Sequence, residues 1–472
     1  MAGYAQPVVL VLPPPEGWRY AKPQRGKPEI SVGHCGVAEN AALDDSAGRP
    51  THRSVDSLIS DRSVMKFIAP AGTTIRVRDL ARGLARGVHT TSAAGTLVEL
   101  LAAASGHTRA WPMSSGRAAM TMILRAMKSI SLDPGRDEVV IPAYTCYSVP
   151  AAIERAGLRP HLCDIDPATL AMCPHALSRL DFSRVLAIIS SNLYGIPNPL
   201  PAYESIARSH GVMMLDDAAQ ALGAQIGRRP VGAFGDAGLY SFDKGKIICT
   251  IQGGAIVAGD TALAAAIDVQ YERLAACPAA ESALNAAKLV IYSACLHPAL
   301  YALIRRLPFL GLGRTDYHTR SPETRLGSLQ TGMATQLIAR QEALNSVRRT
   351  NAARLVEALH DVAGLILPVI GDDARPVYAR FPVRVRDAGQ RSRLIGALES
   401  AGIGATVSYP SALPDVPEVR ALSRPPRANF PGARELARQI VTLPTHGYCP
   451  PDLAWRIRRV VQRCRLSPAS VA

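Results

Sequence analysis

The chain has 472 residues, 48% hydrophobic and 19% charged, which suits about two to four domains with sizeable cores and excludes disorder throughout. Nine scattered cysteines, none spaced as C-x-x-C, argue against a disulfide framework or a zinc site. The formal net charge of +15 is mostly arginine and is spread along the chain with only 5% aromatic residues, so nucleic-acid binding is not expected, whereas phosphate-bearing small ligands are compatible.

Residues 1–64 are rich in Pro, Gly, Ser and charge and show no sustained period, so they read either as a disordered tail or as an extension upstream of a start at Met65. Their apolar run Val8-Val9-Leu10-Val11-Leu12 is cut by Pro13-Pro14-Pro15 and has no basic flank, so no signal peptide is expected. With the cysteine usage, this fits a reducing, cytoplasmic setting.

A periodic pattern begins at Met65-Lys66-Phe67-Ile68 and opens a large domain over 65–268. A helix is expected over Arg117–Met127 and a buried strand over Glu138–Ile141, stopped by Pro142. A helix near Pro150–Ala156 follows, then strands Pro160–Cys163 and Val185–Ser190, helix Tyr203–Ser209 and strand Val212–Leu215. Short apolar strands separated by helices imply an α/β domain with a mostly parallel sheet covered on both faces. Ligands of such sheets bind beyond the carboxyl ends of the strands, which singles out Ala143–Cys146, Asp164–Asp166, Ser191–Gly195 and Asp216–Gln220.

Residues 269–345 read as a helical, partly very apolar insertion containing Leu289–Tyr292 and Leu300–Ile304. The interruption at His297-Pro298 and the flanking Lys288 and Arg305-Arg306 leave it short of the roughly 20 apolar residues that span a bilayer. A packed hairpin, a dimer contact, or an element lying on a membrane surface through 289–304 are the alternatives. Residues 346–472 form a smaller C-terminal domain with a strand-like Tyr378–Val385, a helix near Arg391–Ser400 and a last amphipathic helix around Leu453–Val461.

The chemistry concentrates in Leu215-Asp216-Asp217-Ala218-Ala219-Gln220, in Ser241-Phe242-Asp243-Lys244-Gly245-Lys246, and in Gln252-Gly253-Gly254. Singly, these read as a helix cap, a solvated charge and a turn. In this order, an acid at a strand end, a Ser-Phe strand, a lysine five residues after the serine and a Gly-Gly turn would together hold an aromatic aldehyde, the lysine as its imine partner and the acid against a ring nitrogen.

Six ordered blocks carry a family resemblance: Ser115-Gly116-Arg117-Ala118-Ala119, Asp137–Pro142 with Tyr144-Thr145, Asp164-Ile165-Asp166, Asn192-Leu193-Tyr194-Gly195, Asp217–Ala221, and Ser241-Phe242 through Gly254. From about Ser114 to Pro444 the chain resembles the DegT/DnrJ/EryC1/StrS family of pyridoxal-phosphate-dependent sugar aminotransferases. The resemblance implies the aspartate aminotransferase-like, fold type I architecture, a homodimer, pyridoxal 5'-phosphate as cofactor, no metal, and amino transfer from glutamate or a similar donor to a keto sugar, nucleotide-linked, for polysaccharide or a glycosylated metabolite. It implies Lys246 as the lysine that binds the cofactor and moves the proton, with Lys244 as competitor. Asp217 would pair with the ring nitrogen, Gln220 would sit near the phenolic oxygen, and Gly116, Arg117 and Ser241 would hold the phosphate.

Four positions depart from the family pattern. Arg117 stands where a small hydroxyl residue is usual, Cys146 where an aromatic often stacks on the ring, Asn192 where a histidine is common, and Glu323 where an asparagine usually reaches a partner's phosphate. Two rival readings are a pyridoxal-phosphate enzyme for a non-sugar substrate and a non-catalytic, membrane-associated homologue. A sugar dehydratase of the same family would have histidine at the place of Lys246.

Overall fold

The computed structural model describes residues 66–88, 90–304, 317–423 and 429–466. The expectations for residues 1–65 and for Arg305-Arg306 lie outside the described residues.

Seven strands build the central sheet: β1 Arg109–Met113, β2 Glu138–Pro142, β3 Arg159–Cys163, β4 Val185–Ser191, β5 Met213–Asp217, β6 Ala237–Ser241 and β7 Gly254–Ala258. Their spatial order is β1-β7-β6-β5-β4-β2-β3, and β7 alone runs against the others. All residues of β2, β4 and β7 are buried, as strands need to be when both faces of the sheet are covered. Helix Gly116–Ile130 packs on β6 and β7, and helix Leu200–Ser209 on β4 and β5. This is the expected α/β class with a mostly parallel sheet, and each sequence-read strand of that sheet lies within two residues of its observed bounds.

A second apolar core gathers Leu355, Leu359, Phe381, Val383, Leu398 and Ile457 among others, around a three-stranded sheet of Leu365–Ile366, Phe381–Val385 and Ile440–Leu443. Ile68 joins that core, its N–H bonding Gly402 O at 2.9 Å and its carbonyl accepting Gly404 N–H at 2.8 Å. The start of the expected large domain is thus sewn into the C-terminal core.

Before β1 lie two helices that are not among the expected elements, Val77–Val88 and Thr90–Ser105. The first carries an apolar stripe at helical spacing, Val77, Leu80, Leu84 and Val88, which the sequence reading passed over, whereas the second is rich in small residues and shows no clear stripe. They clasp helix Ser328–Ile338, which belongs to the stretch read as an insertion. Helices Ala279–Cys295 and Pro298–Ile304 pack on each other and leave Leu284, Val290, Ile291 and Leu303 exposed. Among the described residues, no helix is long and apolar enough to cross a membrane.

The contact between Val77–Val88 and Ser328–Ile338 depends on glycines. A Cβ on Gly332 would stand 2.3 Å from both Gly83 O and Gly87 N, backbone atoms that cannot turn aside. Gly332→Ala is therefore expected to force the helices apart at a cost of roughly 1–3 kcal/mol and to lower the thermal midpoint. Gly396→Ala, on helix Ala388–Ser400 with open space around its Cβ, is the matched control and is expected to leave the midpoint unchanged or slightly raised.

Candidate active site

Strand β5 ends in two buried acids whose side chains leave on opposite faces. Asp216 is committed to the fold: it accepts Gly232 N–H at 2.5 Å, Asn192 Nδ2 at 2.7 Å and Phe234 N–H at 3.4 Å. Asp217 is held more lightly, by Ala219 N–H at 3.1 Å and Ser191 Oγ at 3.4 Å. Burial raises the pKa of Asp217, and the charge of Lys246 is the leading influence that opposes the rise.

Lys246 lies on the loop that carries the chain from β6 back to β7. The loop is closed by Phe242 N–H on Gly253 O at 2.9 Å and Thr250 N–H on Phe242 O at 2.8 Å. From outside, the buried Thr73 hydroxyl donates to Lys246 O at 2.9 Å. Lys246 is half-buried and faces Asp217 electrostatically, whereas its competitor Lys244 is exposed.

Next to this pair is a narrow cradle. A Cβ on Gly116 would come within 3.0 Å of Ser241 Cβ and 3.2 Å of Ser241 Oγ, and one on Gly254 would come within 2.5 Å of Gly116 N. Ser115 caps the helix that starts here by accepting Ala118 N–H at 3.1 Å, and the N–H groups of Gly116 and Arg117 precede the first helical acceptor. Such a helix start attracts anions. Arg117 is half-buried, its Nε is enclosed without a hydrogen-bond partner, and burial lowers its pKa despite the nearby Cys146 and Asp243. The Thr145 hydroxyl is likewise buried and unpartnered.

The other expected residues are placed as follows. Cys146 is half-buried and accepts the Ser148 hydroxyl at 3.0 Å. Gln220 accepts Tyr194 N–H at 3.1 Å and donates to the Tyr409 hydroxyl at 3.0 Å. Asn192 has its amide spent on Asp216, on Asp217 O at 3.0 Å and on Asn198 N–H at 3.0 Å, so it orients the acid pair from behind. Glu323 forms ion pairs with Arg125 at 2.8 Å and with Arg155, which keep its charge from the cradle. Tyr147 leans on Tyr409 with ring centroids 6.2 Å apart, and its hydroxyl accepts Ser411 N–H at 3.1 Å.

Thr73 and Tyr409 were not identified from the sequence. They lie 173 and 163 positions from Lys246 in the chain, so no local spacing points to them.

The enclosed, unpartnered Arg117 Nε, the glycine cradle at Ser241 and the lightly held Asp217 facing Lys246 fit a phosphorylated aromatic aldehyde with a protonated ring nitrogen. The donor set contains no group of three or more His, Cys, Asp or Glu suited to a metal among the described residues.

The family model described as the DegT/DnrJ/EryC1/StrS aminotransferase family matches residues 88–462. A dTDP-3-amino-3,4,6-trideoxy-alpha-D-glucose transaminase of Streptomyces venezuelae is 28% identical over 69% of this chain and 75% of its own length. A UDP-N-acetyl-3-dehydro-alpha-D-glucosamine 3-aminotransferase of Acidithiobacillus ferrooxidans is 27% identical over 74% of this chain and 82% of its own. The crystal structure of S. venezuelae DesV in complex with a ketimine intermediate shares the fold, with a TM-score of 0.65 at 24% identity, covering 84% of this chain and 98% of the other.

Burial pushes the Asp216 carboxyl up to about 7 against its three donors, whereas in the unfolded chain it titrates near 3.9. Between those values the folded protein keeps a proton that the unfolded chain has released, so the contribution of Asp216 to stability falls as pH rises through this window. Asp216→Asn removes the titration. The midpoint of the wild type minus that of the variant is expected to decrease from pH 4 to pH 8, and parallel profiles would refute the assignment.

Proposed function

The chain belongs to the DegT/DnrJ/EryC1/StrS aminotransferase family, and on that premise we propose that it moves the amino group of glutamate or a similar amino acid onto a nucleotide-linked keto sugar, for polysaccharide or a glycosylated metabolite. Pyridoxal 5'-phosphate is the cofactor of this aminotransferase family. The observation that carries the reading is the buried Asp217 facing half-buried Lys246 beside an arginine with an enclosed, unpartnered Nε.

When bound, the cofactor supplies an electron sink for the pair left when the α-proton departs. Lys246 would hold the cofactor through Nζ, and the freed Nζ would take the proton from the donor's α-carbon and return one. Asp217 keeps the ring nitrogen protonated, which it does best as a buried carboxylate with few competing donors. Arg117, the N–H groups of Gly116 and Arg117, and the Ser241 hydroxyl hold the phosphate; Gln220 and Cys146 border the ring, and Asn192 fixes the acid behind it.

The substrate class rests on the two relatives, named for dTDP and UDP sugars, and on the basic surplus of this chain, which suits a diphosphate. The functional unit is a homodimer, a state supported by the exposed apolar side chains Leu284, Val290, Ile291 and Leu303. The cytoplasmic assignment is supported by the free state of all cysteines among the described residues.

The purified protein is expected to show a visible cofactor band that L-glutamate bleaches. Lys246→Ala should slow the glutamate-driven change by about 10²–10⁴-fold, the range of a lost general base. Arg117→Ala should weaken cofactor retention on dialysis by roughly 10- to 100-fold, as for a lost charge-assisted bond. Activity restored by dTDP or UDP keto sugars supports the sugar reading; turnover with keto acids alone would move the protein to a non-sugar substrate. Absence of cofactor binding would leave a non-catalytic homologue.

A further inference from the structure

Proton transfer at carbon needs its base held closely in place, and a lysine amine hangs on a flexible four-carbon stem. Its placement therefore starts at the backbone. Lys246 lies in a loop, and its own N–H reaches Asp243 O at 3.3 Å, the long end of a hydrogen bond. Gly245 before it has a φ of 76°, in the region that glycine enters freely, and adds no stiffness. The Lys246 carbonyl is held better: it takes the Thr73 hydroxyl at 2.9 Å, with Ile247 O at 3.4 Å from the same oxygen.

Thr73 is fully buried, in a strap of residues 67–75 that runs from the C-terminal core to the lysine loop. Ile68 is bonded to Gly402 and Gly404. Ala69 O takes the Nε2 hydrogen of buried His446 at 2.8 Å. Burial pulls that imidazole down to about 4, and its Nδ1 accepts Tyr448 N–H at 3.3 Å, which leaves the hydrogen on Nε2. Gly72 O takes Arg348 Nη2 at 2.7 Å, and the same guanidinium donates to Ala379 O at 3.1 Å. Farther along, Ile75 O accepts the Ser293 hydroxyl at 3.3 Å.

Two of these fastenings cost stability. Arg348 is fully buried with burial bringing its pKa down to about 10, so it stays charged at neutral pH, and its Nη groups close on backbone carbonyls. His446 is likewise enclosed. Both close on the strap, at Gly72 and Ala69, as a segment held for its position requires. Thr73 is the strap residue whose side chain uses that position. Its neighbour Thr74 has an enclosed hydroxyl without a hydrogen-bond partner among the described residues.

We propose that Thr73 is a positioning residue for Lys246: its hydroxyl fixes the Lys246 peptide from a strap anchored in the C-terminal core, and so holds Nζ where proton transfer needs it. This inference rests on the reading of Lys246 as the proton carrier.

The test compares wild type, Thr73→Val, Thr73→Ser and Thr74→Val as full-length holoenzymes. At saturating L-glutamate, T73V should bleach the visible band roughly 10- to 100-fold more slowly, as for a misplaced base. Half-saturating glutamate and cofactor occupancy should stay as in wild type, T73S should recover most of the rate, and T74V should match wild type. In Lys246→Ala, with added methylamine serving as the base, T73V should cost no further rate, because a free amine does not depend on the Lys246 peptide. Amide hydrogen exchange over residues 243–250 should be faster in T73V and unchanged in T74V. The same loss in the methylamine-rescued protein as in wild type would make Thr73 merely structural, and T73S as slow as T73V would remove the hydroxyl from the account; either overturns the proposal, as does unchanged exchange in T73V. Faster exchange in T73V alongside a wild type that glutamate does not bleach would refute the aminotransferase reading while sparing the hold of Thr73 on Lys246.

Discussion

The burial of Asp217 at the end of a central strand, with the lysine loop beside it, is the constraint that the connection of β5, β6 and β7 meets. A carboxylate removed from water at the end of a central strand costs several kcal/mol unless a charge answers it. Here burial still raises the pKa of Asp217, and the charge that leads in opposing the rise comes from a different segment of the chain. Strand β5 delivers the acid at the carboxyl edge of the sheet, and its parallel neighbour β6 ends at the same edge. Because β7 runs antiparallel to β6, the connection between them must turn back over that edge, and this turn carries Lys246. The one reversed strand in the sheet thus brings the amine to the acid.

Division of labour between neighbouring residues follows from the period of a strand. Asp216 and Asp217 differ by one position and so face opposite sides. One ties Gly232, Phe234 and Asn192 together, and the other keeps its oxygens nearly free. Two adjacent carboxylates of the same type serve as a fastener and as a chemical group because the sheet separates their surroundings.

Legibility in the sequence tracks how locally each feature is encoded. The apolar strands were readable because burial on both faces leaves runs such as Val185-Leu186-Ala187-Ile188-Ile189. Asp217, Gln220, Ser241 and Lys246 could be singled out because they fall at the ends of two neighbouring strands and in the segments that follow them, close together in sequence. Helix Thr90–Ser105 was missed because small residues leave it without an apolar stripe, whereas Val77–Val88 was passed over although Val77, Leu80, Leu84 and Val88 recur at helical spacing. Thr73 and Tyr409 were missed because tertiary packing alone brings Thr73 to the Lys246 carbonyl and Tyr409 to the Gln220 amide. Asn192 was legible as a site residue, but its commitment to the acid pair was visible only in three dimensions.

Charge at the cradle is also balanced by distant parts of the chain. Arg117 places a guanidinium beside the glycine cradle, half-buried and with an enclosed, unpartnered Nε. Glu323 places an acid on the neighbouring segment, and alone it would repel a phosphate held there. Arg125 and Arg155, which extend from helices Gly116–Ile130 and Ser148–Arg155, both close on Glu323. Both guanidiniums answer its charge locally. The segment around Glu323 is itself held to β1 by Ser114 N–H on Thr324 O at 3.0 Å and the Ser114 hydroxyl on Pro322 O at 2.9 Å. The backbone that ends β1 and starts helix Gly116–Ile130 therefore also fixes the segment of Glu323, and Arg155 links the two regions by pairing with Glu323 while its charge acts on Arg117.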